Sequence, residues 1–317
     1  MPADGGELYK RRHADQRSMA DADQAEFLAL KSGAALVDEG VYDDLVAGAM
    51  DDFEHLPDEA IHEEWHGRDL AEDGGTGKIQ ELVEQRVALL GELYPFRLEG
   101  NRLVYVTGSS GMYEFLLAAS VRRDISSKPF NRIPQVFERA ISVISEGLLG
   151  PGAKSLHVGS PRDEVVGKSF KAAFEKLHEL TGEWPWRPLE YLPPEGPPGG
   201  DDGLDFVAWL SSNDNRPGRL FLIGQCACGD DWVDKLDELT LERIGAWTGH
   251  GWQVKPIKIF ATPHVLAGGH FVRDQQRAGL IQDRVRLCRL EDARRDTNVL
   301  APFKDEMLEL TKLVLRA

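Results

Sequence analysis

The stretch GGDDGLDFVAWLSSNDNRPGRLFLIGQCACGDDWVDKLDEL, residues 199–239, holds two apolar runs, 204–210 and 220–226. Between them lies SSNDNRPG, a dense cluster of turn formers, so the runs read as the two strands of a hairpin. Each run is nearly continuously apolar, which implies cover on both faces. Asp205 and Gln225 interrupt the pattern. A loop centred between Asp214 and Asn215 gives cross-strand partners whose numbers sum to about 429, which places Asp205 opposite Gly224 or Gln225. Opposed side chains share a face of the sheet, with Cβ atoms roughly 5 Å apart. An ionised carboxylate buried there costs several kcal/mol unless something positive meets it, and a divalent cation is the simplest candidate. A plain structural role also fits, with Asp205 capping a turn and Gln225 satisfying backbone groups at a strand end.

The order G-D-D-G-L-D, strand, turn, and strand ending in G-Q-C resembles the core of the PD-(D/E)XK nuclease superfamily. The likeness is to the Mrr-type restriction endonucleases, whose pattern is G-x-G-(I/L)-D and then Q-C-K. That family carries a glutamate, often after Phe, on the helix before its first strand, and Phe174-Glu175 resembles that position. The resemblance covers residues 160–262. It implies an α/β fold with a restriction-endonuclease-like mixed β-sheet flanked by helices: helix 161–181, strand 187–192, the hairpin, helix 232–247 and strand 256–262. It also implies a Mg²⁺ (or Mn²⁺) dependent endonuclease acting on DNA in bacterial antiviral defence or restriction, with Glu175, Asp205 and Gln225 as metal ligands. Glu164 lies one face-repeat earlier on the same helix, about 20° away in projection, and is a further candidate ligand. Phe137-Glu138 is a second F-E pair and a rival source of the helical ligand. Glu175 is preferred because its helix leads directly into the strands.

The chain departs from the family at Ala227, which stands where the catalytic lysine of Q-x-K belongs. A helix expected to begin near Trp232, with Asp230 or Asp231 as its N-cap, carries Lys235 in its first turn or so. Helical side chains tilt toward the N-terminus and hence toward the end of the Gln225 strand, so Lys235 is the expected replacement. The competing reading is a solvated lysine on an amphipathic helix.

The 317 residues carry a net charge of −16, unevenly spread. Residues 1–100 contain 9 basic and 24 acidic side chains, net −15, whereas residues 101–317 contain 28 and 29, net −1. An acidic third repels polyanions over about a Debye length, roughly 8 Å, which argues against a constitutive non-specific DNA binder. This asymmetry suggests an acidic, mainly helical partner-binding or regulatory domain over 1–125 and a nuclease domain over 126–317. Residues 1–23 read as a loose arm. The densest run of arginine, which includes Arg273, Arg277, Arg284 and Arg286, is the candidate DNA contact, although intervening acidic residues make a salt-bridged surface nearly as good a reading.

Three cysteines, without the spacing of a zinc site, point to a reducing cytoplasm, and no apolar run of about 18 residues suggests a membrane span. His62-Glu63-Glu64-Trp65-His66 matches H-E-x-x-H, the zinc protease motif, without the extension that would supply a third ligand. GGTGK at 74–78 lacks the first glycine and the hydroxyl of a P-loop. A second function of another class stays open: a catalytically silent nuclease-fold subunit that binds or scaffolds partners, for which Ala227 speaks.

Overall fold

The computed structural model describes residues 5–37, 77–106, 110–163, 166–197, 200–214 and 216–317. The H-E-x-x-H segment and Glu164 lie outside the described residues. A five-stranded mixed sheet is formed by β4 (Lys154–His157), β5 (Phe206–Leu210), β6 (Leu220–Cys226), β7 (Ile257–Ala261) and β8 (Leu280–Gln282), in that spatial order. β5 runs antiparallel to both of its neighbours, β4 and β6; β7 and β8 run parallel to β6. The hairpin register pairs Phe206 with Gly224 and Leu210 with Leu220. The Phe206 ring lies over Gly224, where any side chain would collide with it.

Helices cover both faces, as the continuous apolar runs require. On one face lies α4 (Arg132–Ser145), whose Ile133, Val136, Phe137, Ala140, Ile141 and Ile144 recur at helical spacing and are buried. They share a core with Phe206, Ala208, Leu222, Ile259 and Ala261. On the opposite face, α5 (Phe170–Thr181) and α6 (Leu241–Thr248) present Phe174, Leu177, Ile244 and Trp247 to Val207, Trp209, Phe221 and Ile223.

A smaller antiparallel sheet, β1 (Ala34–Leu36), β3 (Arg102–Tyr105) and β2 (Phe96–Glu99), packs beside α1 (Gly5–Ser32), α2 (77–90) and α3 (Met112–Val121). The C-terminal part adds α7 (Gly268–Ala278), α8 (Arg284–Asp292) and α9 (Lys304–Arg316). Among the described residues no helix is long and apolar enough to cross a membrane.

Three expectations need correction. The supposed loose arm is helical from Gly5 onward, and α1 buries Ala22, Ala25 and Ala29. That stripe of small side chains gives little hydropathic signal. The strand expected at 187–192 is absent: Pro185, Pro188, Pro193 and Pro194 remove ladder donors. Arg187 and Leu189 donate instead to the carbonyls of Trp247 and Ala246 at the end of α6. The first strand of the sheet is therefore β4, a four-residue segment that precedes α5, so the helix leading into the sheet is α4. The helix expected over 232–247 is broken into a 3₁₀ turn, Trp232–Lys235, and α6, which restarts where the Thr240 hydroxyl accepts the Arg243 N–H at 3.1 Å. One core joins Leu82, Phe115 and Leu116 to Phe206, Ile259 and Leu310.

Candidate active site

Asp205 stands one step before β5 and is held from both sides by backbone bonds. Its N–H donates to the Gly224 carbonyl at 2.9 Å, and its own carbonyl accepts from Val158 at 2.7 Å and Gly159 at 2.9 Å. Extending the ladder by one residue sets position 205 opposite 225. The two side chains nevertheless part. Gln225 follows Phe221 and Ile223 in the alternation along β6, onto the face away from α4, and its Nε2 donates to Glu238 Oε2 at 2.7 Å. The Asp205 carboxylate accepts the Cys226 N–H on Oδ2 at 2.6 Å and turns Oδ1 toward α4.

There it meets Glu138. A Cβ built on Gly159 would lie 2.8 Å from Glu138 Oε2, 3.0 Å from Asp205 Oδ1 and 3.2 Å from His157 Nε2, so three polar atoms converge beside a residue that has no side chain to intrude. His157, at the end of β4, fixes the Glu138 carboxylate through a 3.1 Å contact from Nε2 to Oε2. Burial first, then the Glu138 and Asp201 carboxylates, push Asp205 well above the ordinary carboxylate range. The Cys226 N–H bond and the Lys235 ammonium oppose that rise. Lys235 ends the 3₁₀ turn, half-buried, with Asp231 at 3.9 Å. Burial first, then the Asp205 and Glu138 carboxylates, push the thiols of Cys226 and Cys228 well up, so both are neutral at pH 7.

Other expected residues lie elsewhere. Glu175 is exposed on α5, whose buried side packs on the face of the sheet opposite α4. Arg284 is fully buried, donating to Asp23 Oδ2 at 2.6 Å, Ser120 Oγ at 2.6 Å and the Pro263 carbonyl at 2.9 Å; it cannot reach a phosphate. Arg286 bonds the Ile281 carbonyl at 2.7 Å and stacks 4.4 Å over Phe271. Arg273 pairs with the buried Asp274 at 3.0 Å, and Arg277 pairs with Asp237 at the surface. A cavity of about 450 Å³ between α1, α3 and the loop after β6 is lined by Asp21, Asp23 and Asp230 together with Arg123 and His264, so acidic groups outnumber basic ones there.

Glu138 was visible in the sequence as the second F-E pair. His157 and Gly159 had no motif to mark them and become visible only once β4 is seen as the strand beside β5. Among the described residues no three His, Cys, Asp or Glu side chains are spaced to hold a metal ion. What the arrangement offers a hard cation is two carboxylates, Glu138 and Asp205. No family model matches the chain, and neither the search of curated proteins nor that of solved structures returned a match.

Proposed function

We propose that the chain is a Mg²⁺ (or Mn²⁺) dependent endonuclease of restriction-endonuclease-like fold that hydrolyses phosphodiester bonds in double-stranded DNA. The observation that carries this reading is the convergence of the Glu138 and Asp205 carboxylates at Gly159, with the charge of Lys235 felt at Asp205. With α5 inserted between β4 and β5, the order α4, β4, β5, β6, α6, β7, with two antiparallel pairings and then a parallel one, supports the family resemblance of the hairpin. It also moves the helical carboxylate from Glu175 to Glu138.

The donor set suits a hard cation. Mg²⁺ is commonly held by one or two carboxylates, with waters and substrate phosphates completing its shell, so a third protein ligand is unnecessary and Gln225 can remain with Glu238. Glu138 and Asp205 would hold the ion, and bound metal supplies an acidified water and neutralises charge developing on the phosphoryl group. The Cys226 N–H fixes Asp205 Oδ2, which leaves Oδ1 directed at the site. His157 steadies Glu138 in the same way. Lys235 would orient the attacking water, its ammonium supplied from the turn after β6 rather than from the strand.

Plasmid cleavage with Mg²⁺ or Mn²⁺ tests this. Asp205→Ala should reduce cleavage about 100-fold or more, and Lys235→Ala by a comparable factor. Cleavage that survives Asp205→Ala removes the assignment, whereas loss with Asp205→Ala but not with Lys235→Ala removes only the lysine. The second reading, a silent nuclease-fold binding or scaffold protein, is favoured by Ala227, which is buried against Trp232, Leu236 and Phe260 and leaves no charge at the strand position. It predicts no metal-dependent cleavage by the wild type.

A further inference from the structure

We infer that His264 is a positioning residue of this centre: by bonding the Cys228 carbonyl it sets how the chain leaves β6 and hence where Lys235 stands. The inference rests on the nuclease reading and deepens it by naming what places the lysine. His264 lies on the loop that follows β7, and its Nε2 is 3.3 Å from the Cys228 carbonyl oxygen. A carbonyl can only accept, so Nε2 carries the hydrogen. Up to Ala227 the chain is fixed by the sheet, by the Cys226 N–H bond to Asp205 at 2.6 Å and by the Ala227 N–H bond to the Ala261 carbonyl at 2.9 Å. Beyond Ala227 it leaves the ladder, and the His264 bond meets it at the very next residue. The 3₁₀ turn that ends in Lys235 begins at Trp232. Burial first, then Glu138 and Asp205, raise the Cys228 thiol while Lys235 opposes them, so Cys228 stands in the field of all three groups.

The loop from which His264 acts is itself firmly held. The His264 backbone carbonyl accepts the Arg284 N–H at 3.2 Å, the Pro263 carbonyl accepts Arg284 Nε at 2.9 Å, and the Leu266 N–H donates to Asp283 Oδ2 at 3.3 Å. Arg284 is fully buried and bonded to Asp23 Oδ2 at 2.6 Å, and Gln16 of α1 donates to the Val265 carbonyl at 3.2 Å. A segment ordered in this way can fix a neighbouring loop at little further entropic cost, which is what a catalytic side chain on that loop requires. Trp232, packed on Ala227 and Phe260, anchors the apolar side of the turn, and His264 supplies the polar tie at its start. Burial is the largest cause lowering the His264 pKa below 6.5, with the Asp23 charge opposing, so the imidazole is neutral at pH 7. A neutral donor holds the loop without repelling the Lys235 ammonium, as a lysine or arginine at this position would.

The test is plasmid cleavage by the full-length protein in Mg²⁺, followed to give kcat and KM separately. His264→Leu should lower kcat about tenfold with KM unchanged. His264→Gln, whose amide N–H replaces the Nε2 donor, should recover kcat to within about threefold of wild type. In a Lys235→Ala background His264→Leu should cause no further loss, because the two changes then remove one function. His264→Asn, whose amide falls short of the carbonyl, replaces His264→Leu should that variant fail to fold. Four results overturn the assignment of His264: wild-type kcat in the folded variant, a loss confined to KM, a His264→Gln protein as slow as His264→Leu, or losses that multiply with Lys235→Ala. A Lys235→Ala protein that cuts like wild type overturns it as well. In each of these cases wild-type cleavage lost with Asp205→Ala still supports the nuclease, whereas a wild type that cuts no plasmid overturns both.

Discussion

Asp205 is placed against the interests of stability. Its carboxyl is buried, it faces Glu138, and its raised pKa means that the folded state binds a proton more readily than the unfolded chain does. The stability this group gives is therefore complete below the ordinary value of 3.8 and is lost as pH rises through the folded value. Asp205→Asn keeps an oxygen for the Cys226 N–H and removes the like charge. In metal-free buffer it should raise stability at neutral pH by on the order of 1 kcal/mol, with a gap over wild type that widens as pH rises from acid. Thermal unfolding across pH checks this, and a loss of stability would mean that a cation within the protein already neutralises the pair. Gly159→Ala acts on the same pair: its Cβ falls 2.8 Å from Glu138 Oε2, so the carboxylates must separate, at a cost of about 1–3 kcal/mol in stability and the loss of metal-dependent activity. Asp205 was legible in the sequence because a carboxylate stands out in an apolar run. The separation of Gln225 from it was not, because Glu238 is brought to Gln225 by a turn whose end no periodicity marks.

At the scale of elements, the hairpin, α4, β7 and the final helix were legible, since each has strong periodicity or turn chemistry. The entry strand β4 was not, because KSLH offers four residues and no alternation, and an extended proline-rich segment took its place in the sequence reading. That single displacement turned attention from Glu138 to Glu175. The polar N-terminal helix was hidden for another reason: its buried face carries Asp23 and Glu26, which meet Arg86 of α2 and Arg284 of α8 at 2.6–2.8 Å. Burial raises Asp23, but Arg284 and Arg86 outweigh it and the net shift is downward. The stability contributed by Asp23 is present above the ordinary value of 3.8 and is lost as pH falls through the lower folded value, the reverse of Asp205. Arg284→Ala, which leaves these carboxylates buried without their partner, should cost about 3–5 kcal/mol, measured by urea unfolding. A cost below 1 kcal/mol would show that the network is not what joins α1 to α8.

For the whole molecule, the uneven charge of the chain suggested two independent halves, whereas the packing binds them. Leu82, Phe115 and Leu116 share an interior with Phe206 and Ile259, and Arg284 ties α8 to α1. A chain shortened to residues 126–317 should therefore fail to unfold cooperatively, and the full chain should show one calorimetric transition; two separate transitions would restore the division at 125/126. Charge bias along a sequence reports what faces solvent, and it cannot reveal where the interior is shared. The most direct measurement of the proposed centre compares Mg²⁺-dependent plasmid cleavage by Glu138→Gln and Glu175→Gln, two conservative changes on the helices that competed for one role. Cleavage lost with Glu138→Gln and kept with Glu175→Gln is the expected result; the reverse, or equal activity in both, contradicts a metal held between Glu138 and Asp205.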